Sequence, residues 1–145
     1  MNKHRIIGTT DEAISQAERE LGRSFPQSFR EWLIINNGRN LDGVHIYPVF
    51  DEREPRKTWD SIVRNFQVGW KAWLENLECR ESVKSLLPFA DFGTGDYYCF
   101  DYSDLGEAGE PRVVLWSHES DVLEPRGGSF SEFATLALAG EFDDD

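Results

Sequence analysis

Two cysteines, three histidines and one methionine are all the sulfur and imidazole in 145 residues. Cys79 and Cys99 stand twenty positions apart. That spacing cannot make the short chelate loop of a structural zinc site. His4, His45 and His118 fall in unrelated stretches, so no metal centre and no cofactor is expected. Both cysteines read as reduced, largely buried thiols rather than a disulfide. Long apolar runs are missing as well. Ile6 and Ile7 stand alone near the start, short of the roughly 7–15 apolar residues of a secretory signal. No stretch approaches the ~18 apolar residues of a membrane span. The expectation is a soluble chain that stays in the cytoplasm.

Positive charge is scarce in one place only. Residues 1–84 balance, with 13 basic and 13 acidic side chains. Residues 85–145 carry only Arg112 and Arg126 against 14 acids, so the net charge of −12 arises wholly there. An acidic surface repels the phosphates of nucleic acids and anionic membranes. Neither is expected as a partner. The same surface attracts basic proteins and speeds their encounter, although acidity also serves plain solubility.

Catalytic signatures are absent on inspection. Asp91-Phe92-Gly93 spells a kinase triplet, but no catalytic loop precedes it and the chain is too short for a kinase. Gly93-Thr94-Gly95 leads into a strand pattern, not the helix that dinucleotide binding needs. Asp101 to Arg112 has a glycine at the sixth place of a calcium-type loop. Leu105 and Arg112 stand at its fifth and twelfth places, where calcium needs oxygen ligands. His118-Glu119 lacks the second histidine of a zinc protease. Gly127-Gly128-Ser129-Phe130-Ser131 lacks the closing glycine of a nucleophile elbow. No catalytic residue is assigned, and the chain is not expected to be an enzyme.

What is present suits a small domain. Aromatic residues make up 13% of the chain, with five tryptophans and ten phenylalanines. Each buries a large area. Thr9-Thr10-Asp11-Glu12 fits a capping box with Thr9 as cap. Ile14, Ala17 and Leu21 then share a helical face, and Gly22 stops the helix. A second helix opens near Pro26, buries Phe29, Trp32 and Leu33, and ends at Asn37-Gly38. Val44 to Phe50 reads as a strand that Pro48 confines to a sheet edge, and such an edge can pair with another chain. A long helical pattern follows from about Thr58 to Cys79, with Gly69 marking a kink or a close backbone contact. Leu86 to Phe92, Tyr97 to Asp101 and Val113 to Trp116 read as strands. A hairpin turn over 93–96 joins the first pair, and an acidic loop over 102–111 joins the next. A short strand falls near Val122. Ser129 and Glu132 form a second capping box, opening a last helix to about Ala139.

Runs of helix and runs of strand segregate along the chain. That order predicts an α+β fold, one domain over 1–145. Its antiparallel-rich sheet carries helices packed against it. The core spans about 11–139, and 141–145 form an acidic tail. Tyr97 to Phe100 and Val113 to Trp116 are apolar on both faces, so the sheet centre should be covered on both sides.

Several of these residues form an ordered pattern. Glu18-x-x-Leu21-Gly22 is followed by Phe25-Pro26-x-x-Phe29-x-x-Trp32-Leu33-x-x-x-Asn37-Gly38. Tyr98-Cys99-Phe100-Asp101, an acidic loop and Pro111-x-Val113-Val114-x-Trp116 come later, and Ser129-Phe130-x-x-Phe133 closes. Over about residues 11–139 this pattern resembles the SUKH superfamily, the Smi/Knr homology group. It departs at Gly38-Arg39, where the family often has a glycine pair, and at Arg112, which separates Pro111 from the valines. The resemblance implies a binding role. Bacterial members are similar to immunity proteins that neutralise a cognate toxin, often a nuclease. Fungal members look like regulatory scaffolds for cell-wall synthesis.

The leading expectation is an immunity-type protein whose acidic half meets a basic toxin domain. The partner-contacting candidates are Asp96, Asp101, Asp104, Glu107 and Glu110, on the turn and the long loop. The alternatives are a regulatory scaffold module, and a small-ligand binder or enzyme with His45 or His118 in a pocket.

Overall fold

The computed structural model describes residues 8–41, 43–72, 85–91, 96–106, 109–117 and 123–140. Helix α1 (Asp11–Leu21) is capped by Thr10, one residue later than expected, through the Ala13 N–H at 3.1 Å. Two adjacent threonines offer equivalent caps in sequence, and a distant partner decides between them. The buried Thr9 hydroxyl donates to the Asp51 carboxylate at 2.7 Å. Gly22, at φ 74°, closes α1 by donating to the Glu18 carbonyl. An L side chain at that backbone angle would be strained.

Glu18 also joins α1 to α2 (Gln27–Asn36). One carboxylate oxygen accepts from the Phe25 N–H and the other from Arg30, both at 2.7 Å. Arg30 pairs with Asp11 as well. Asn37 ends α2 and then acts as a substitute strand. Its amide donates to the Val49 carbonyl at 2.9 Å and accepts from the Val49 N–H at 2.8 Å.

The expected strand over Val44 to Phe50 shrinks to His45–Ile46, β1. Pro48 supplies no ladder donor, and its carbonyl accepts from Ile62 instead. β1 is an edge, as predicted. The donors beside it are already taken: Ile46 N–H by Asn40, Tyr47 N–H by Phe89 and Val49 N–H by Asn37. An edge with its donors satisfied is a poor template for another strand.

The long third helix starts later than its apolar pattern suggests. Ser61 caps α3 (Ile62–Arg64), which runs into a π-helical stretch, Asn65–Trp70. There the Lys71 N–H reaches the Phe66 carbonyl, five residues back. Gly69 lies in this widened stretch. A Cβ at Gly69 would stand 3.7 Å from the Tyr97 hydroxyl, an ordinary contact distance, so no close approach of the backbone requires glycine there. The wider turn buries Trp70 at 1% exposure and leaves Val68 outside at 60%. Trp73, Leu74, Leu77 and Cys79 lie outside the described residues.

Strands β2 (Leu86–Asp91), β3 (Tyr97–Leu105), β4 (Pro111–Trp116) and β5 (Leu123–Gly127) complete a sheet in the order β1-β2-β3-β4-β5. Every neighbouring pair is antiparallel. The turn residues Gly93, Thr94 and Gly95 and the residue Val122 lie outside the described residues. Strand β3 runs four residues past its expected end at Asp101. The extension carries a register shift between Asp101 and Leu105. The Asp101 carboxylate holds that bulge by accepting from the Ser103 N–H at 3.0 Å and the Ser103 hydroxyl at 2.6 Å. Ser129 caps the last helix, α4 (Phe130–Leu138). Glu132 reaches back to the Gly128 N–H at 2.6 Å, one residue before the usual capping-box target.

Apolar side chains cover both faces of the sheet, as the two-faced strands predict. On one face Phe89 and Phe100 stack at 4.1 Å beneath Phe29 of α2 and Phe130 and Phe133 of α4. On the other, Leu86, Cys99, Val114 and Trp116 pack with Trp70. The buried Trp70 indole N–H has no acceptor among the described residues, a cost of about 1–3 kcal/mol. Its edge-on contacts with Trp116 at 5.1 Å and Tyr97 at 5.4 Å must offset that. Cys99 is a free, fully buried thiol, and burial pushes its pKa up. The fold is thus α+β, with helices on an antiparallel sheet.

Candidate partner-binding surface

The expected acids do not gather around one point. Asp96 and Asp104 stand at opposite ends of β3, roughly 25 Å apart at an antiparallel rise of ~3.4 Å per residue. Asp101 is buried, at 8% exposure, and ties β3 to the start of β2 through the Ser85 hydroxyl at 3.1 Å. Asp104 is exposed and pairs with Arg112 at 3.2 Å. Glu107 lies outside the described residues.

Glu110 has a defined structural task. Its two oxygens accept from the backbone N–H and the hydroxyl of Ser28, at 3.0 and 2.7 Å. Ser28 lies in the first turn of α2, whose cap residue Pro26 makes no side-chain cap bond. Free N–H groups at a helix start favour a carboxylate both by hydrogen bonding and by the helix dipole. Glu110→Ala is therefore expected to cost about 1–2 kcal/mol of stability, in the range of a lost cap. Urea unfolding of the two proteins checks this. An unchanged midpoint would leave Glu110 a plain surface charge.

The other acids of this half are also engaged. Glu124 pairs with Arg126 at 2.8 Å, Glu132 caps α4, and Asp91 accepts from the Tyr47 hydroxyl at 2.6 Å. Burial, then Asp91, pushes the Tyr47 hydroxyl far above its ordinary pKa. Both arginines of the half thus have a carboxylate partner. The acids of this half that lie outside the described residues are Glu107, Glu119, Asp121, Glu141 and Asp143 to Asp145.

A different surface has the shape of a binding site. A cleft of ≈ 370 Å³ runs between α1 and the π-helical stretch. Ala13, Gln16, Ala17 and Glu20 line one wall, spaced as one stripe of a helix. The small alanines leave the room. Val63 and Val68 line the other wall, and Phe50 and Trp59 stand at the mouth. Phe50 is 46% exposed and Trp59 62%, large values for such side chains. The cleft continues past Phe50 into a second groove lined by Glu12, Glu52 and Arg53.

The loop that carries Phe50 and Trp59 is built around Asp51. This carboxylate is 5% exposed. It receives the Thr9 hydroxyl, the Arg53 N–H at 2.9 Å and the Arg53 guanidinium at 2.7 Å. Arg53 first, and then Thr9, hold its pKa at about 2 against the burial that opposes them. The Asp51 N–H donates to Thr58, which closes the loop on itself at 3.0 Å. Gly8 fixes the other end. A Cβ there would sit 1.9 Å from the Ile34 carbonyl oxygen, so only glycine lets Thr9 approach.

Sequence reasoning missed this surface because α1 reads as an ordinary amphipathic helix, its alanines counted with the core. The available signal was Trp59 and Phe50 in a polar loop between proline and arginine residues. His45 lines neither groove. It is half-exposed, 3.7 Å from Asp60 and edge-on to Tyr47. His118 lies outside the described residues. Among the described residues no group of three His, Cys, Asp or Glu side chains could hold a metal ion, and no helix is long and apolar enough to cross a membrane.

Helices packed on a five-stranded antiparallel sheet place the chain in the α+β class. The sequence model of the SMI1/KNR4 family (SUKH-1) matches residues 8–135. The chain belongs to that family. No curated protein matches the sequence.

Proposed function

We propose that this chain is an immunity-type protein that neutralises a cognate toxin by direct binding rather than by catalysis. The observation that carries the reading is the placement of charge. All of the −12 excess lies in residues 85–145. The two arginines there are already paired with carboxylates. A toxin that holds nucleic-acid phosphates must be basic, and an acidic protein competes for the same surface. Family membership supports a binding role. Of the five expected contact acids, Asp104 is exposed and, among the described residues, is held only by the surface arginine Arg112. Asp96 and Glu107 complete the contact set in this reading. Asp101 and Glu110 support it from inside the fold while adding to the field.

Co-expression with the toxin domain encoded beside its gene tests this. Protected cells and a 1:1 complex on a sizing column are expected. Raising ionic strength from ~0.05 to ~0.5 M should slow complex formation, because steering of charged partners is screened. Unprotected cells and separate elution of the two proteins would exclude the reading.

A further inference from the structure

We infer that the α1/π-helix cleft receives a partner segment carrying a large apolar side chain with a lysine or arginine beside it. This rests on, and deepens, the reading that the partner is a basic protein. The apolar half of the inference comes from the walls. Ala13 and Ala17 on one wall and Val63 on the other supply apolar surface inside the cleft, and Phe50, Trp59 and Val68 leave large apolar areas open at the mouth. A volume of ≈ 370 Å³ lies within the ~300–1,000 Å³ usual for ligand pockets. Exposed tryptophan on a fixed loop is what binding hot spots are made of. Trp59 is fixed twice over. Asp51 and Thr58 hold the loop, and the Arg64 guanidinium lies 5.0 Å over the indole ring.

The cationic half comes from the rim. Arg53 is taken by Asp51 at 2.7 Å. Arg64 is held by Trp59 and by Asp60 at 3.7 Å. Glu12 and Glu52 are exposed and have no ion-pair or hydrogen-bond partner among the described residues. Among the described residues Glu20 has only the neutral Gln16 amide, at 2.8 Å. Three carboxylates thus face outward against two arginines: Arg19, whose guanidinium bonds to Gln16 at 2.7 Å, and the exposed Arg56, which stands beside Trp59. A cation arriving next to the apolar side chain meets this surplus. A second copy of the chain is disfavoured, since each copy brings a charge of −12. A neutral apolar molecule would fill the cleft and leave the carboxylates unused.

The test needs no toxin, so it fails separately from the immunity reading. A phage library of random heptapeptides is selected on the immobilised full-length chain. The strongest selected peptide is then synthesised and titrated by calorimetry. Selected peptides should pair an aromatic or aliphatic residue with Lys or Arg within two positions. Trp59→Ala should weaken the titrated peptide by about thirtyfold or more, the scale of a hot-spot tryptophan. The double variant Glu12→Gln and Glu52→Gln should weaken it by about fivefold while an all-apolar peptide is unaffected. Both variants alter exposed side chains, and a thermal melt within about 2 °C of wild type confirms folding. No selected peptide, a selection without the apolar–basic pairing, or affinity unmoved by Trp59→Ala would overturn the inference. Equal binding of apolar peptides with and without a cation would overturn it too, and would mark a cleft for neutral ligands.

Discussion

Phe29→Ala is expected to lower the unfolding free energy by about 3–5 kcal/mol, the range for emptying a buried phenylalanine site. Phe29 has no exposed surface and sits where α2, α4 and the sheet meet. Its ring contacts Phe130 at 4.9 Å, Phe100 at 5.2 Å, Phe25 at 5.3 Å and Phe89 at 5.7 Å. Those neighbours are themselves locked against one another, so the cavity cannot collapse easily. A domain of this size has only about 5–15 kcal/mol in total. The melting temperature should fall by roughly 10 °C or more, read by circular dichroism. Phe29→Leu keeps most of the volume and should cost much less. If Phe29→Ala cost under about 1 kcal/mol, the aromatic centre would not be close-packed.

Asp51→Ala should be the next most damaging change, at about 2–3 kcal/mol. It removes a charged acceptor and leaves the buried Thr9 hydroxyl without its partner. The effect must depend on pH in a definite direction. The folded-state pKa of Asp51 is lowered from 3.8 to about 2. A lowered carboxylate pKa means stability that is fully present above the unfolded value and is lost as pH falls through the folded one. The shift corresponds to about 2 kcal/mol at ~1.36 kcal/mol per unit. Wild type and Asp51→Asn should therefore differ by a constant amount above about pH 5 and converge between about pH 4 and pH 2. Urea midpoints across that range measure it. A difference that stayed flat down to about pH 2 would remove Asp51 from the centre of the loop. Asp51→Asn also links stability to binding, because the same loop presents Phe50 and Trp59.

Much of the fold was legible because it is written locally. Gly22, Pro26, Asn37-Gly38 and Ser129 mark helix ends by backbone chemistry that needs no distant partner. Two-faced apolar strands announced a sheet covered on both sides. The errors share one cause. Thr9 rather than Thr10 looked like the cap because Asp51, 42 residues away, is invisible locally. Glu110 looked like a free loop acid because its partner Ser28 lies 82 residues away. Asp101 looked like the last residue of its strand because the bulge it holds, which carries β3 on to Leu105, has no signature in the local sequence. The third helix was read as starting near Thr58 because a 3.6-residue pattern cannot show that Thr58 is spent on Asp51 and Glu54.

The sequence by itself determined the helix and strand order, the family and the separation of a neutral half from an acidic half. Those follow from periodicity, from turn residues and from counting charge, all of which are properties of neighbours along the chain. Only the tertiary structure decided what each acid does. A carboxylate becomes a helix cap, a loop hub or an open rim charge according to which donor folding brings within ~3 Å. It also decided that two alanines on α1, a tryptophan in a polar loop and a widened helical turn make one cleft. Each residue alone satisfies a local rule, and the cavity exists only where their surfaces fail to meet.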